Sequence, residues 1–108
     1  MRILFDHSTP APLASCLAEH SVTEARDRGW HRLSNGDLLA EAERAGFEVL
    51  LTADRNMRYQ QNLTGRSIAL VVLSTPRWPV LRLHVDKVAA ALRAATPGGY
   101  IEVAIPVE

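Results

Sequence analysis

The chain has one cysteine, one lysine, no excess of either charge and no long apolar run. With Cys16 as the sole cysteine, neither an internal disulfide nor a cysteine-based zinc site can form. Disulfide-stapled and zinc-finger modules are thereby excluded. Cys16 falls on the apolar stripe of an expected helix and is read as a buried structural thiol. Basic and acidic residues balance at twelve each, which gives no polycationic coat for nucleic acid and no sign of disorder. The N-terminal apolar run stops at Asp6, short of a signal-peptide core, and no later run approaches the length of a membrane span. A cytoplasmic protein with no membrane partner is the expectation. Repeats, low-complexity tracts and interdomain linkers are missing as well, so residues 1–108 are expected to form one domain.

What is present is a core and a set of arginines. Nearly half of the 108 residues are hydrophobic, at 47%, enough to bury a core without staples. Apart from Lys87 the basic residues are arginine, which suits bidentate contact with phosphate or carboxylate.

Arg2-Ile3-Leu4-Phe5-Asp6 and Glu48-Val49-Leu50-Leu51-Thr52-Ala53-Asp54 share one grammar, a short apolar run that ends in an aspartate. Such runs, flanked by helical patterns, read as buried strands of a parallel sheet. Between them, Pro10 and Pro12 fit a helix start, and Leu13, Cys16, Leu17 and His20 supply its stripe. Ser21-Val22-Thr23-Glu24 is a short second strand, followed from Ala25 to Leu33 by a loop or broken turn. Ser34-Asn35-Gly36-Asp37 opens a helix with Leu38, Leu39, Ala42 and Ala45 inside and Gly46 as its C-terminal cap. After a polar turn with a short helix from Asp54 to Leu63, residues 67–74 form a central strand. A helix from about Val80 to Ala95 follows, buried along Leu81, Val85, Val88, Ala89 and Leu92. A final edge strand, Tyr100 to Ile105, is allowed to be antiparallel. The alternation predicts an α/β fold: a three-layer sandwich with a mainly parallel sheet of about five strands and helices on both faces.

In open α/β sheets the C-terminal edge of the strands is where ligands bind. Asp6 and Asp54 end strands there, and Asp37 opens a helix at the same edge. Each acid alone reads as a helix cap, with Ser34-x-x-Asp37 as a capping box. Together they would repel one another unless a cation neutralised them, and Mg²⁺ or Mn²⁺ is the simplest remedy. Glu41, one turn after Asp37, is a possible fourth member or a solvated surface residue.

Ile3-Leu4-Phe5-Asp6 with Pro10, the helix-opening Asp37, and Leu50-Leu51-Thr52-Ala53-Asp54-Arg55-Asn56-Met57 resemble, in order and spacing over residues 1–95, the short single-domain branch of the PIN-like nuclease superfamily. The resemblance implies a metal-dependent ribonuclease fold, with RNA as substrate and, for many members, a toxin role beside an antitoxin protein. A homodimer is a further expected partner state. The family's strand-end acid falls on Asp6, its helix-opening acid on Asp37 and the first acid of its threonine-x-Asp signature on Asp54. Asn56 stands where a second aspartate is frequent, and His7 where an acidic or amide residue is frequent; Asn56 can ligate a metal only through a neutral carbonyl oxygen. The mechanism implied is metal-assisted phosphodiester hydrolysis, with Asp6, Asp37, Asp54 and Asn56 as the metal set. Thr52 and Asn56 are expected to orient the metal shell, Arg55, Arg58 and Arg77 to contact phosphates, and Tyr59 to stack on a base, with Trp30 and Trp78 read as stacking residues or, in preference, as packing or partner-interface residues. His7 is either a general acid or metal ligand, or a turn residue bonded to backbone.

Two other classes compete. A degenerate PIN-like module would bind RNA or a protein partner without cleavage, with Asn56 as the reason. A phosphoacceptor domain would use Asp54 and Thr75, but one acid in place of an adjacent pair after the first strand, and no lysine after a late strand, count against it.

Overall fold

The computed structural model describes residues 1–57 and 63–106. Five strands form one sheet: β1 (Arg2–Phe5), β2 (Ser21–Glu24), β3 (Val49–Thr52), β4 (Ala69–Leu73) and β5 (Tyr100–Val103). Their order is β2-β1-β3-β4-β5, and every neighbouring pair is parallel. The last strand is an edge strand, as expected, but it is parallel. The physical reason is the length of the connection: residues 74–99 cross back over the sheet with a helix, the type of link parallel pairing requires.

The three inner strands are buried on both faces. Ile3, Phe5, Val49, Leu51, Val71 and Leu73 point into one apolar cluster, whereas Leu4, Leu50, Leu70 and Val72 point into another. This is the period of two in a strand whose faces are both covered. The first cluster is completed by Leu13, Leu81, Val88 and Leu92, the second by Leu38, Leu39 and Ala42. Leu50 is fully buried, and truncating it to alanine is expected to cost about 2–5 kcal/mol.

Helix α1 (Asn35–Arg44) begins at Ser34, whose hydroxyl accepts from the Asp37 amide. It ends in a left-handed glycine: Gly46 has φ 88°, its amide bonds the Glu43 carbonyl, and the Phe47 amide bonds the Ala42 carbonyl. That pairing is a Schellman motif, and it turns the chain into β3.

Two helical expectations are corrected. The segment after Asp6 is a 3₁₀-helix, Ala11–Cys16, and Leu17 leaves it at φ −117°, ψ 43°. The α-helical stripe therefore does not continue. Leu13 and Leu17 are buried and Cys16 is exposed, so the buried-thiol reading is wrong. The helix expected from Val80 is divided into α2 (Trp78–Leu81), a 3₁₀ turn at Arg82–His84, and α3 (Val85–Ala94), although its inward residues Leu81, Val88 and Leu92 are as expected. Residues 25–33 form the broken turn foreseen for them, a 3₁₀ turn at Ala25–Arg28 closed by Gly29 at φ 75°. Among the described residues no helix is long and apolar enough to cross a membrane.

Candidate functional site

In this strand order β1 and β3 are neighbours whose onward connections diverge, one to β2 and the other to β4. Such a switch point leaves a crevice outside the C-terminal ends of the strands, the place where open α/β sheets bind ligands. Asp6 follows β1 directly, Thr52 ends β3 and Asp54 lies two residues past it, so both aspartates flank this crevice.

Asp6 is 3% exposed, and its carboxylate is held by four donors. Oδ1 accepts from the Ser8 amide at 3.2 Å, the Ser8 hydroxyl at 2.7 Å and the Thr9 hydroxyl at 3.0 Å. Oδ2 accepts from Thr52 Oγ1 at 2.5 Å. The amide bond two residues on is an Asx-turn, which fixes the aspartate relative to its own backbone. Ser8 Oγ also accepts from the Ala53 amide at 2.9 Å, and Thr52 Oγ1 from the Asp54 amide at 3.0 Å. Ser8 and Thr52 thus each give their hydroxyl proton to Asp6 and take one from the β3 loop, whereas Thr9 shares its proton between Asp6 and the Leu51 carbonyl, at 2.7 Å. The two loops are stitched together through Asp6.

Asp54 is half-buried and held more lightly. Its Oδ1 accepts from the Asn56 amide at 3.0 Å, a second Asx-turn, and its Oδ2 from Asn35 Nδ2 at 3.1 Å. Because Asn35 is the first residue of α1, that bond brings the helix start against the end of β3.

The remaining expected site residues are distributed as follows. Asp37 is exposed in the first turn of α1, where its amide bonds Ser34 and acts in the cap. Glu41 pairs with Arg44 along the same helix, a surface ion pair. Thr52 is fully buried, donating to the Asp6 carboxylate and accepting from the Asp54 backbone amide. Asn56 and His7 are exposed; Asn56 joins the site through its backbone amide. Arg55 is exposed and lines a pocket of about 160 Å³ with Glu102, outside β4 and β5. Arg77 is exposed, while Trp30 and Trp78 pack against the two cores. Arg58 and Tyr59 lie outside the described residues.

Among the described residues no three Asp, Glu, His or Cys side chains stand together as a metal-ligand group. The structure thus joins Asp6 and Asp54 through Thr52 and does not assemble the full acid set. Ion pairs join Glu24 to Arg26, Glu41 to Arg44 and Glu43 to Arg66. Among the described residues Asp6 and Asp54 pair with no cationic side chain. Ser8, Thr9 and Asn35 were not anticipated. For Ser8 a local signal was available, since an aspartate commonly accepts from the backbone amide two residues on, but the bond of Asn35 to Asp54 has no local signal.

No family model, curated protein or solved structure matches the chain. The functional reading therefore rests on this geometry and on the sequence resemblance.

Proposed function

We propose that the chain is a PIN-like ribonuclease, a three-layer α/β sandwich that uses Mg²⁺ or Mn²⁺ at the β1/β3 crevice to hydrolyse RNA phosphodiester bonds. The observation that carries this is the state of Asp6: a buried carboxylate with hydroxyl and amide donors around it and, among the described residues, no cation beside it. A buried charge is costly unless paired, and a site of this kind fits a bound cation. The donors also suit the ion. Carboxylate oxygens are hard ligands, Mg²⁺ is commonly held by one or two of them with waters completing its shell, and among the described residues Asp6 Oδ2 and both Asp54 oxygens each accept one hydrogen bond.

When bound, such an ion supplies a Lewis acid for the phosphate and an activated water. The residues of the chain do the rest. Thr52 orients Asp6, Asn35 orients Asp54, and Asp37 adds charge at the start of α1. Arg55, next to Asp54 in sequence and exposed in the pocket outside β4 and β5, is the proposed contact for a backbone phosphate. The toxin role, with an antitoxin protein or a second copy as partner in the cytoplasm, follows from the resemblance.

A second reading has its own observation. Four hydrogen bonds already satisfy Asp6, and the signature position two residues after Asp54 is the neutral Asn56, which suits a non-cleaving module that binds RNA or a protein. Incubating the purified chain with a mixed single-stranded RNA and Mg²⁺ or Mn²⁺ separates the two. Cleavage abolished by EDTA and by Asp6→Asn supports the nuclease; folded protein that binds RNA without cutting it under either metal supports the module.

A further inference from the structure

A pocket of about 270 Å³ opens beside Asp6 on its β2 side, with His7, Pro10, Glu24, Arg26 and Pro76 in its walls. Glu24 is the last residue of β2 and pairs in register with Phe5, so its carboxylate leaves the sheet at the same edge as Asp6. Among the described residues its one partner is Arg26, at 3.4 Å from Oε1. Its other oxygen can accept a further donor. The geometry points to Glu24 as the acceptor for the ribose 2′-hydroxyl of one unpaired nucleotide seated in this pocket, which makes it the residue that selects RNA over DNA. This rests on the crevice being an RNA site, and it adds which part of the substrate lies on which side of Asp6.

Three properties of the pocket lead to this ligand. The first is size: about 270 Å³ lies just below the ~300–1,000 Å³ typical of drug-sized ligands, which suits a single nucleoside unit and excludes a duplex. The second is charge. Asp6 and Glu24 outnumber Arg26 in the walls, so the pocket favours a neutral group rich in O–H donors over a phosphate. The sugar and base therefore belong here and the phosphate belongs nearer Asp54. The third is placement. A carboxylate at the end of the strand next to β1, outside the C-terminal edge of an open parallel sheet, is where dinucleotide-binding folds hold ribose hydroxyls, because a sugar beside the switch point presents them there. The 2′-hydroxyl is also the group by which a protein tells RNA from DNA. Pro10 and Pro76 supply apolar walls for the base, and the Arg26 contact aims Glu24.

The test uses the full chain in EDTA and follows its amide ¹H–¹⁵N spectrum during titration with adenosine and with 2′-deoxyadenosine. Shifts confined to residues 6–11 and 24–26 are expected, with adenosine about 10-fold tighter, as for one hydrogen bond to a charged acceptor. Glu24→Ala should bring the two affinities together, and Glu24→Gln, which keeps an acceptor oxygen and the side-chain shape, should reduce the preference in part. Equal affinities in the native chain, a preference that survives Glu24→Ala, shifts clustered around Arg55 and Glu102, or no shifts at all would overturn the assignment. Since no metal or cleavage enters, ribose-selective binding by a chain that fails to cut RNA would sink the nuclease alone, and cutting without it would sink the pocket alone.

Discussion

At the N-terminal edge of the sheet Glu43 accepts from Arg66 Nη1 at 2.9 Å and from the Ser67 amide at 2.6 Å, and Glu48 accepts from the Arg2 amide at 3.1 Å. At the C-terminal edge, among the described residues, Asp6 accepts four hydrogen bonds, none from a cationic group, and Asp54 two. The Glu43 arrangement closes on itself, since cation and carboxylate both come from the chain and lie near the surface. Its work is to pin α1 to the start of β4. The second leaves the negative charge of a buried group uncompensated by any described side chain, while fixing its position through three hydroxyls. Glu43 is paired with a cation locally; Asp6 and Asp54 are oriented by neutral donors among the described residues. That difference is the physical basis for placing a cation at the crevice, since stability is commonly given up where a site must remain open to its ligand.

The largest effect should come from removing the carboxylate that the crevice is built around. Asp6→Ala leaves the Ser8 and Thr52 hydroxyls and the Ser8 amide without this acceptor, while Thr9 keeps the Leu51 carbonyl, and a loss of about 2–4 kcal/mol in urea unfolding is expected. Asp6→Asn sharpens the contrast: it keeps the shape, and in EDTA its stability should fall within about 1 kcal/mol of the parent, because the lost charge-assisted bonds are offset by the removal of a buried charge. Equal destabilisation by both variants would show that Asp6 is a structural carboxylate like Glu43.

Thr52→Val is next. It keeps the volume but deletes the donor to Asp6 and the acceptor of the Asp54 amide, at an expected cost of about 1–3 kcal/mol in the same assay. Asn35→Ala should cost under about 1 kcal/mol, since its partner is half-buried, yet it frees Asp54 and should weaken Mn²⁺ binding several-fold in calorimetric titration. A change in stability with no change in cation affinity would separate Asp54 from the site.

The smallest effect lies at the opposite edge. The Ser67 amide bond, with help from the Ser67 hydroxyl and Arg66 and against the opposing effect of desolvation, holds the Glu43 carboxyl below its ordinary value. A carboxylate depressed in the folded state binds its proton less readily there than in the unfolded chain. Its contribution is present above the ordinary glutamate pKa and is lost as pH falls through the lower folded value. Glu43→Gln should therefore lower Tm near neutral pH and have progressively less effect as pH falls into that range, with no change in the response to divalent cations. A Tm difference that stays constant with pH would remove the electrostatic account of Glu43.

Much of the fold was legible because burial repeats a simple period. Leu50 and Leu70 facing one way and Val49 and Val71 the other follow from strands covered on both sides, and Ser34 and Gly46 bracket α1 by cap chemistry that is local in sequence. Cys16 was misread because its segment closes as a 3₁₀-helix after Pro10 and Pro12, so its exposure depends on where the helix stops, which apolar spacing does not encode. The antiparallel option for β5 overlooked what the length of its connection already implied. At the site, Asp6 and Asp54 could be placed by strand ends alone. That Thr52 joins them required knowing that β1 and β3 are neighbours, with Phe5 opposite Leu51, a long-range fact that no local pattern carries. Asn35 stayed hidden for the same reason, since its bond to Asp54 spans nineteen positions.

The most direct measurement is paramagnetic broadening by Mn²⁺ in the amide spectrum of the intact chain, repeated with Asp6→Asn. Broadening is expected at residues 6–9 and 52–56, around the crevice, at substoichiometric Mn²⁺, and it should disappear in the variant. Broadening that persists unchanged in Asp6→Asn, or that centres on Glu41 and Glu43, would contradict a cation site between the ends of β1 and β3.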